Sequence, residues 1–167
     1  MWLSARLWTI ALIVLCLLPA CGYQLTAQSP INLPAGNTKL FLKKVTNPTT
    51  ETWFEPMVRT SLRDEFTRRG NVEWVDQETA QSLVYVDVRQ YSTSGSVTGQ
   101  NDETLKSKAM VHLEISFYSA DTHALIWNSG PVVASESYRG TGSKRDATQK
   151  AIDLAMRIAA DRLSQNF

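Results

Sequence analysis

Metal, thiol or imidazole chemistry in this chain would have to come from two cysteines, two histidines and a scatter of carboxylates. His112 and His123 stand eleven residues apart, one on the polar side of an alternating stretch and one in the turn-like Ala120-Asp121-Thr122-His123. Both read as solvated surface side chains rather than ligands or bases, and no cluster with metal-ligand spacing accompanies them. Asp102 and Glu103 fall in a polar, glycine-containing loop, without the apolar neighbours that raise a carboxyl pKa for acid catalysis. Asp64-Glu65 and Arg68-Arg69 read as ordinary solvated helix charges. A Gly-rich phosphate loop and a nucleophile elbow are both missing. The expectation is a binding module without catalysis, cofactor or metal. The rival reading, a small envelope enzyme such as a peptidoglycan hydrolase, lacks an acid–base or nucleophile set.

The cysteines have a different chemistry open to them. Cys16 and Cys21 both lie in the apolar N-terminal region, MWLSARLWTIALIVLCLLPACGYQL. Arg6 gives a weakly positive start, and Leu7 to Leu18 is apolar except for Thr9. Twelve helical residues span roughly 18 Å, well short of a hydrocarbon core of about 30 Å. The segment therefore reads as a signal peptide over residues 1–20 rather than a membrane span. Leu18-Pro19-Ala20-Cys21 resembles a bacterial lipobox, with an aliphatic residue at −3 and a small one at −1, although Pro19 departs from the commonest residue at −2. Cleavage before Cys21 leaves it as the only thiol of the mature chain, which rules out an internal disulfide. Lipid attachment at Cys21 is the expected use of that thiol. A secretory signal with a coincidental cysteine is the plainer alternative.

Removing residues 1–20 leaves 147 residues, enough for one globular domain with a real core. Arg6 leaves with the signal, so that domain carries 16 basic and 16 acidic residues and gives no electrostatic reason to expect nucleic acid. Residues 21–37 read as the lipidated N-terminus and a linker rich in Pro, Gly, Asn, Ser and Thr; residues 38–167 form the single domain.

Within it, Lys39 to Thr46 is a strand closed by Asn47-Pro48. Phe54, Val58, Leu62 and Phe66 recur every four residues, which predicts an amphipathic helix beginning near Glu55 and stopped by Gly70. Short and longer strands follow at Val72–Val75 and Leu83–Tyr91. In the latter, Tyr85, Asp87, Arg89 and Tyr91 share the face opposite Val84, Val86 and Val88. Ser92 to Glu103 reads as a long hairpin loop. Lys106 to Tyr118 alternates strictly, with Ala109, Val111, Leu113, Ile115 and Phe117 on one side. Leu125–Trp127 continues into Val132–Ser137 across a Gly130-Pro131 break that suits a bulge or an edge strand. Asp146 to Phe167 is a second amphipathic helix. The expected fold class is α+β: a two-layer sandwich with a mostly antiparallel four- to five-stranded meander and two helices on one face.

Cys21-Gly22-Tyr23-Gln24-Leu25 resembles the C-G-Y-x-L start of the lipopolysaccharide-assembly lipoprotein LptE family. A Leu-Pro (Leu33-Pro34), an early strand, a helix ending in Arg69-Gly70, a strand meander and a closing helix follow in that family's order. The resemblance covers the whole chain, with the N-terminal motif its specific part, and suggests a divergent member. It implies a lipoprotein that sits inside the LptD β-barrel as a plug, assists the barrel's assembly and helps deliver lipopolysaccharide to the outer leaflet. Gly22 stands where enteric inner-membrane lipoproteins carry Asp, which implies sorting to the outer membrane with the domain facing the periplasm. Direct lipopolysaccharide binding would need cations for the lipid A phosphates. Lys106 and Lys108, with Arg139, Lys144 and Arg145, are the expected contacts, on two segments that could share one end of the sheet. Tyr85 and Tyr91, expected to be exposed, are candidates for contact with a barrel wall. A generic periplasm-facing lipoprotein that scaffolds another envelope complex is the alternative.

Overall fold

A computed structural model describes residues 30, 31, 33, 36–98 and 104–165. The lipobox, Cys21 and the motif that follows it lie outside the described residues, as do Asp102 and Glu103. The described residues form six strands and two α-helices, β1 (Lys39–Thr46), α1 (Phe54–Arg69), β2 (Glu73–Trp74), β3 (Ser82–Thr98), β4 (Thr104–Ser119), β5 (Leu125–Asn128), β6 (Val132–Tyr138) and α2 (Lys144–Gln165), with a short 3-10 turn at Thr141–Ser143 leading into α2. The strands form one sheet in the order β2-β1-β3-β4-β5, with β6 also paired to β4. Both helices cover one face of it, so the α+β sandwich expected from the pattern is the observed architecture.

The sheet is mixed rather than a simple meander. β1 runs parallel to β2 and to β3, because α1 carries the chain back across the sheet before β3 begins. Pairing is antiparallel from β3 through β6. β5 and β6 lie along the same side of β4 as one interrupted edge strand. The interruption is Ser129-Gly130-Pro131: Gly130 adopts φ 63°, a left-handed conformation suited to glycine, and Pro131 has no N–H to give a ladder. Arg162 of α2 holds the break by donating to the carbonyls of Ser129 and Pro131, at 2.7 and 2.9 Å.

The stretch Ser92–Glu103 is a hairpin with much less loop than its composition suggests. β3 continues to Thr98 and β4 starts at Thr104, leaving only residues 99–103, outside the described set. Among the described residues, no strand flanks β3 opposite β4 beyond Asp87. Thr93, Ser94 and Gly95 of β3 are exposed there, and no hydrophobic alternation marks this stretch in the sequence.

The core sits between sheet and helices. Val58, Leu62 and Phe66 of α1, and Ala151, Ile152, Ala155, Met156, Ala159 and Leu163 of α2, are fully buried against the sheet. Phe66 stacks on Phe117 with centroids 5.8 Å apart. Small alanines let α2 approach the strands closely. Ile31 and Leu33, ahead of β1, are buried in the same cluster. Gly70 stops α1 with φ 78°.

Candidate functional site

Three features outside the apolar core bring charged and aromatic side chains together. The first lies at the end of the sheet where β4 starts and β6 ends. Register pairs Ser107 with Tyr138 and Lys108 with Ser137, so Arg139 follows at the same end as Lys106. α2 opens there too, with Lys144 and Arg145 as its first residues. The two expected basic segments therefore do share one end.

Their chemistry divides them. Lys144 Nζ donates to Glu51 Oε1 at 3.1 Å, and Trp53 Nε1 donates to Glu51 Oε2 at 2.8 Å. The hydrogen bond from Lys144, then that from Trp53, holds the Glu51 carboxyl below its ordinary range; the bond to Glu51 raises Lys144. The Arg145 guanidinium lies over the Trp53 ring, 5.7 Å from its centroid. These two cations tie the start of α2 to the loop before α1. Lys108 and Arg139 are exposed and make no ion pair among the described residues.

Tyr91 joins this end from an unexpected side. Val88 pairs with Leu113 and Gln90 with His112, so Arg89 is the extra residue of a β-bulge. One extra residue reverses every later side chain. Tyr91 is therefore not on the open face with Tyr85, as strict alternation predicts, but packs beside Phe54 and Trp53, at 4.9 and 6.4 Å between centroids. Thr148 Oγ1 already donates to the Lys144 carbonyl at 2.8 Å, so the 3.0 Å contact is a donation from the Tyr91 hydroxyl.

The second feature is a buried ionic bridge between the helices: the expectation of solvated charges holds for Asp64 and Arg68, which are exposed, and fails for Glu65 and Arg69. Glu65 and Arg69 are 7% and 5% exposed. Arg69 Nε donates to Glu65 Oε1 at 2.7 Å, and its Nη2 to Asp161 Oδ1 at 2.6 Å, reaching from α1 to α2. Arg68 closes on the other Glu65 oxygen. Burial pushes the Glu65 carboxyl up, but the hydrogen bonds and charges of Arg68 and Arg69 outweigh it and leave a net lowering. One turn away, Ser61 and Gln149 both donate to Asp153 Oδ1 at 2.7 Å. The signal for this bridge was available: Glu65 and Arg69 stand four apart, in line with Ser61 beside the apolar stripe.

The third feature is a groove of about 530 Å³ on the sheet face that neither helix covers. Residues of β3 and β4 that alternate with the core build it. Asp87 faces Glu114 across the strands, and Tyr85 faces Ser116. Arg89 bridges the two carboxylates, with Nε 2.9 Å from Asp87 Oδ2 and Nη2 3.0 Å from Glu114 Oε2. Tyr85 and Tyr118 meet edge to face at 5.3 Å, and Asn128 closes one side by donating to Ser116 Oγ at 2.9 Å. His123, exposed with φ 57° in its turn, lies at the rim, whereas His112 is half-buried opposite Gln90. Among the described residues no group of His, Cys, Asp and Glu is arranged to hold a metal ion.

Comparison with known proteins locates the chain among these possibilities. A family model described as LptE, lipopolysaccharide-assembly, matches residues 38–166. No match is found among curated proteins. Among solved structures, the chain is similar to lipoprotein B from Nitrosomonas europaea at 10% identity and TM-score 0.50, covering 84% of this chain and 85% of that one. It is also similar to the rare lipoprotein B from Shewanella oneidensis, at 17% identity and TM-score 0.43 over 77% and 92% of the two chains. A minor lipoprotein from Acinetobacter baumannii gives 15% identity and TM-score 0.48 over 78% and 92%. At 10% identity, the likeness to the Nitrosomonas europaea protein is one of fold alone.

Proposed function

The chain belongs to the LptE lipopolysaccharide-assembly family, and on that premise we propose that it is a non-catalytic, lipid-anchored subunit of the lipopolysaccharide translocon. It fills the lumen of an LptD-type outer-membrane β-barrel, assists that barrel's assembly and faces the periplasm. The observation that carries this reading is the family match, which runs from just before β1 to the end of α2 and so takes in every element of the sandwich. Surface character supports it. Large apolar side chains exposed among the described residues are Leu125, Val133 and Leu154, well separated in sequence, and a polar exterior suits the polar interior of a wide barrel.

No helix among the described residues is long and apolar enough to cross a membrane. Membrane attachment is assigned to acyl chains on Cys21, each buried CH₂ contributing about 0.8 kcal/mol and more than one chain being needed for a stable anchor. Metabolic labelling with a palmitate analogue is expected to mark the protein and to fail in Cys21→Ser. Contact with lipid A phosphates is assigned to Lys106, Lys108, Arg139, Lys144 and Arg145. Lys108 and Arg139 lead, because Lys144 and Arg145 are already engaged by Glu51 and Trp53. Charge reversal at Lys108 and Arg139 should weaken lipopolysaccharide binding more than reversal at Lys144. The barrel partnership is tested by purification from membranes in mild detergent with mass spectrometry of what comes with the chain. A stoichiometric large barrel of LptD type is expected. Recovery with a different envelope complex instead would replace this reading with that of a general scaffold.

A further inference from the structure

The geometry points to a second ligand site, distinct from the basic end: the groove on the helix-free face of the sheet is a binding site for a neutral saccharide. This goes beyond the barrel partnership and does not depend on it.

Charge comes first. Asp87 and Glu114 stand against the single cation Arg89, and no lysine lines the groove. The site is therefore net negative and repels phosphate or carboxylate ligands, which belong at the basic end. Geometry then leaves specific valences unused. Arg89 occupies one oxygen of each carboxylate, so Asp87 Oδ1 and Glu114 Oε1 have no protein partner among the described residues. The second terminal nitrogen of Arg89 is likewise unengaged. The Asn128 side chain is fixed at both ends, since its Nδ2 donates to Ser116 and its Oδ1 accepts from the Gly130 N–H at 2.6 Å; one N–H remains to donate.

The groove thus offers both acceptors and donors, which suits the adjacent hydroxyls of a sugar ring, each both donor and acceptor. Tyr85 and Tyr118 supply flat apolar surface for the C–H face of that ring. The volume, about 530 Å³, lies in the range of small-ligand sites and holds one to two sugar rings. A docked protein wall is a poorer occupant. The groove is concave, and so is the inside of a barrel, so the two surfaces do not mate without a projecting loop.

Envelope saccharides come from two sources, the sugar portion of lipopolysaccharide and the glycan of the cell wall, and one experiment separates them. Saturation-transfer difference NMR is run on the full chain in detergent micelles with two lipid-free probes. One is a neutral hexose oligosaccharide of the lipopolysaccharide core, freed of phosphate and acidic sugars; the other is a neutral oligomer of N-acetylglucosamine, the uncharged sugar of the wall glycan. One probe is expected to receive saturation. Its affinity should fall about tenfold or more in the isosteric double variant Asp87→Asn/Glu114→Gln, which weakens two charge-assisted hydrogen bonds. Tyr118→Ala, accepted as folded only if its melting curve stays cooperative, should lose transfer as well. Inorganic phosphate should not compete. Response to the first probe assigns the site to lipopolysaccharide sugar, and to the second, to the wall. Absence of transfer to both probes, equal transfer in the double variant, or displacement by phosphate would overturn the assignment.

Discussion

Val84, Val86 and Val88 of β3 and Val111, Leu113, Ile115 and Phe117 of β4 are at most 2% exposed, while Tyr85, Asp87 and Glu114 alternate with them on the same strands and touch neither helix. The two faces answer to different physics. One is closed by Phe66, Met156 and the alanines of α2 and accepts only side chains of the right volume. The other is bounded by solvent and, in the proposed assembly, by partners, so its residue types are free to be chosen for recognition. If stability is held on the first face and recognition on the second, substitutions on the two should separate cleanly.

The largest effect is expected from Phe66→Ala. The ring is fully buried and stacked on Phe117, and deletion leaves a cavity between α1 and β4 that neighbours fill only in part. A loss of about 3–5 kcal/mol is expected in chemical denaturation, with the slope of the transition unchanged. A loss below about 1 kcal/mol would mean that the helix layer is not what closes this face.

Next comes Arg69→Met, which leaves Glu65 buried without its main partner. Loss of one member of a buried pair costs about 3–5 kcal/mol; with Asp161 a third exposed, about 2–3 kcal/mol is expected here. The double variant Glu65→Leu/Arg69→Met should recover much of it, since no charge is then stranded. The pH dependence follows from the sign of the Glu65 shift. Its carboxyl is lowered in the folded state from 4.5, so its contribution is present above that value and is lost as pH falls below it through the folded pKa. The parent should therefore lose stability on acidification below about pH 4.5, and Arg69→Met should show a shallower fall over the same window. Parallel curves would count against the bridge.

A finer distinction rests on the bulge at Arg89. Strict alternation puts Tyr85 and Tyr91 on one face, yet only Tyr91 crosses to the core side, where its hydroxyl donates to Thr148. Tyr91→Phe should cost about 1 kcal/mol, the net contribution of one hydrogen bond, and Tyr85→Phe close to nothing. Equal values for both would place the two tyrosines in like surroundings and remove the bulge from the account.

Tyr91 also marks where the sequence stops being readable. The periods of two and of about four along β4 and α1 are imposed by burial, so those elements and their inward residues could be read directly. A bulge leaves no mark in composition; it follows from how β3 registers against β4. Parallel pairing of β1 is equally silent, because an inward Leu40 or Leu42 looks the same in either direction. Thr93, Ser94 and Gly95 are exposed, so that part of β3 lacks the apolar alternation of a strand and reads as loop. Glu65 and Arg69 read as solvated because charge on a helix usually is; their place beside the apolar stripe is visible in the sequence, but the partner Asp161 on α2, 92 residues on from Arg69, is not. The groove on the open face is legible only in part: alternation puts Tyr85, Asp87 and Arg89 on one face, but Glu114, Tyr118 and Asn128 join them from two other strands and carry no motif.

The smallest effect on stability is expected where recognition is proposed. In Asp87→Asn/Glu114→Gln the side chains keep their shape, and the ion pairs with Arg89 that they lose are solvent-screened, with Arg89 more than half exposed. Such pairs contribute roughly 0–1 kcal/mol, and the carboxamides still accept from the guanidinium, so a change within about 0.5 kcal/mol is expected. The parent's stability should also be nearly independent of added salt in this region of the fold, because pairs worth so little have little to lose by screening. The same double variant is expected to weaken saccharide binding, and that pairing is the sharpest form of the contrast between the faces: little movement in the melting curve and a large one in the titration. A loss of stability above about 1 kcal/mol would instead show that the Asp87–Arg89–Glu114 bridge helps to hold β3 on β4, and the open face would then share the structural work now assigned to the core.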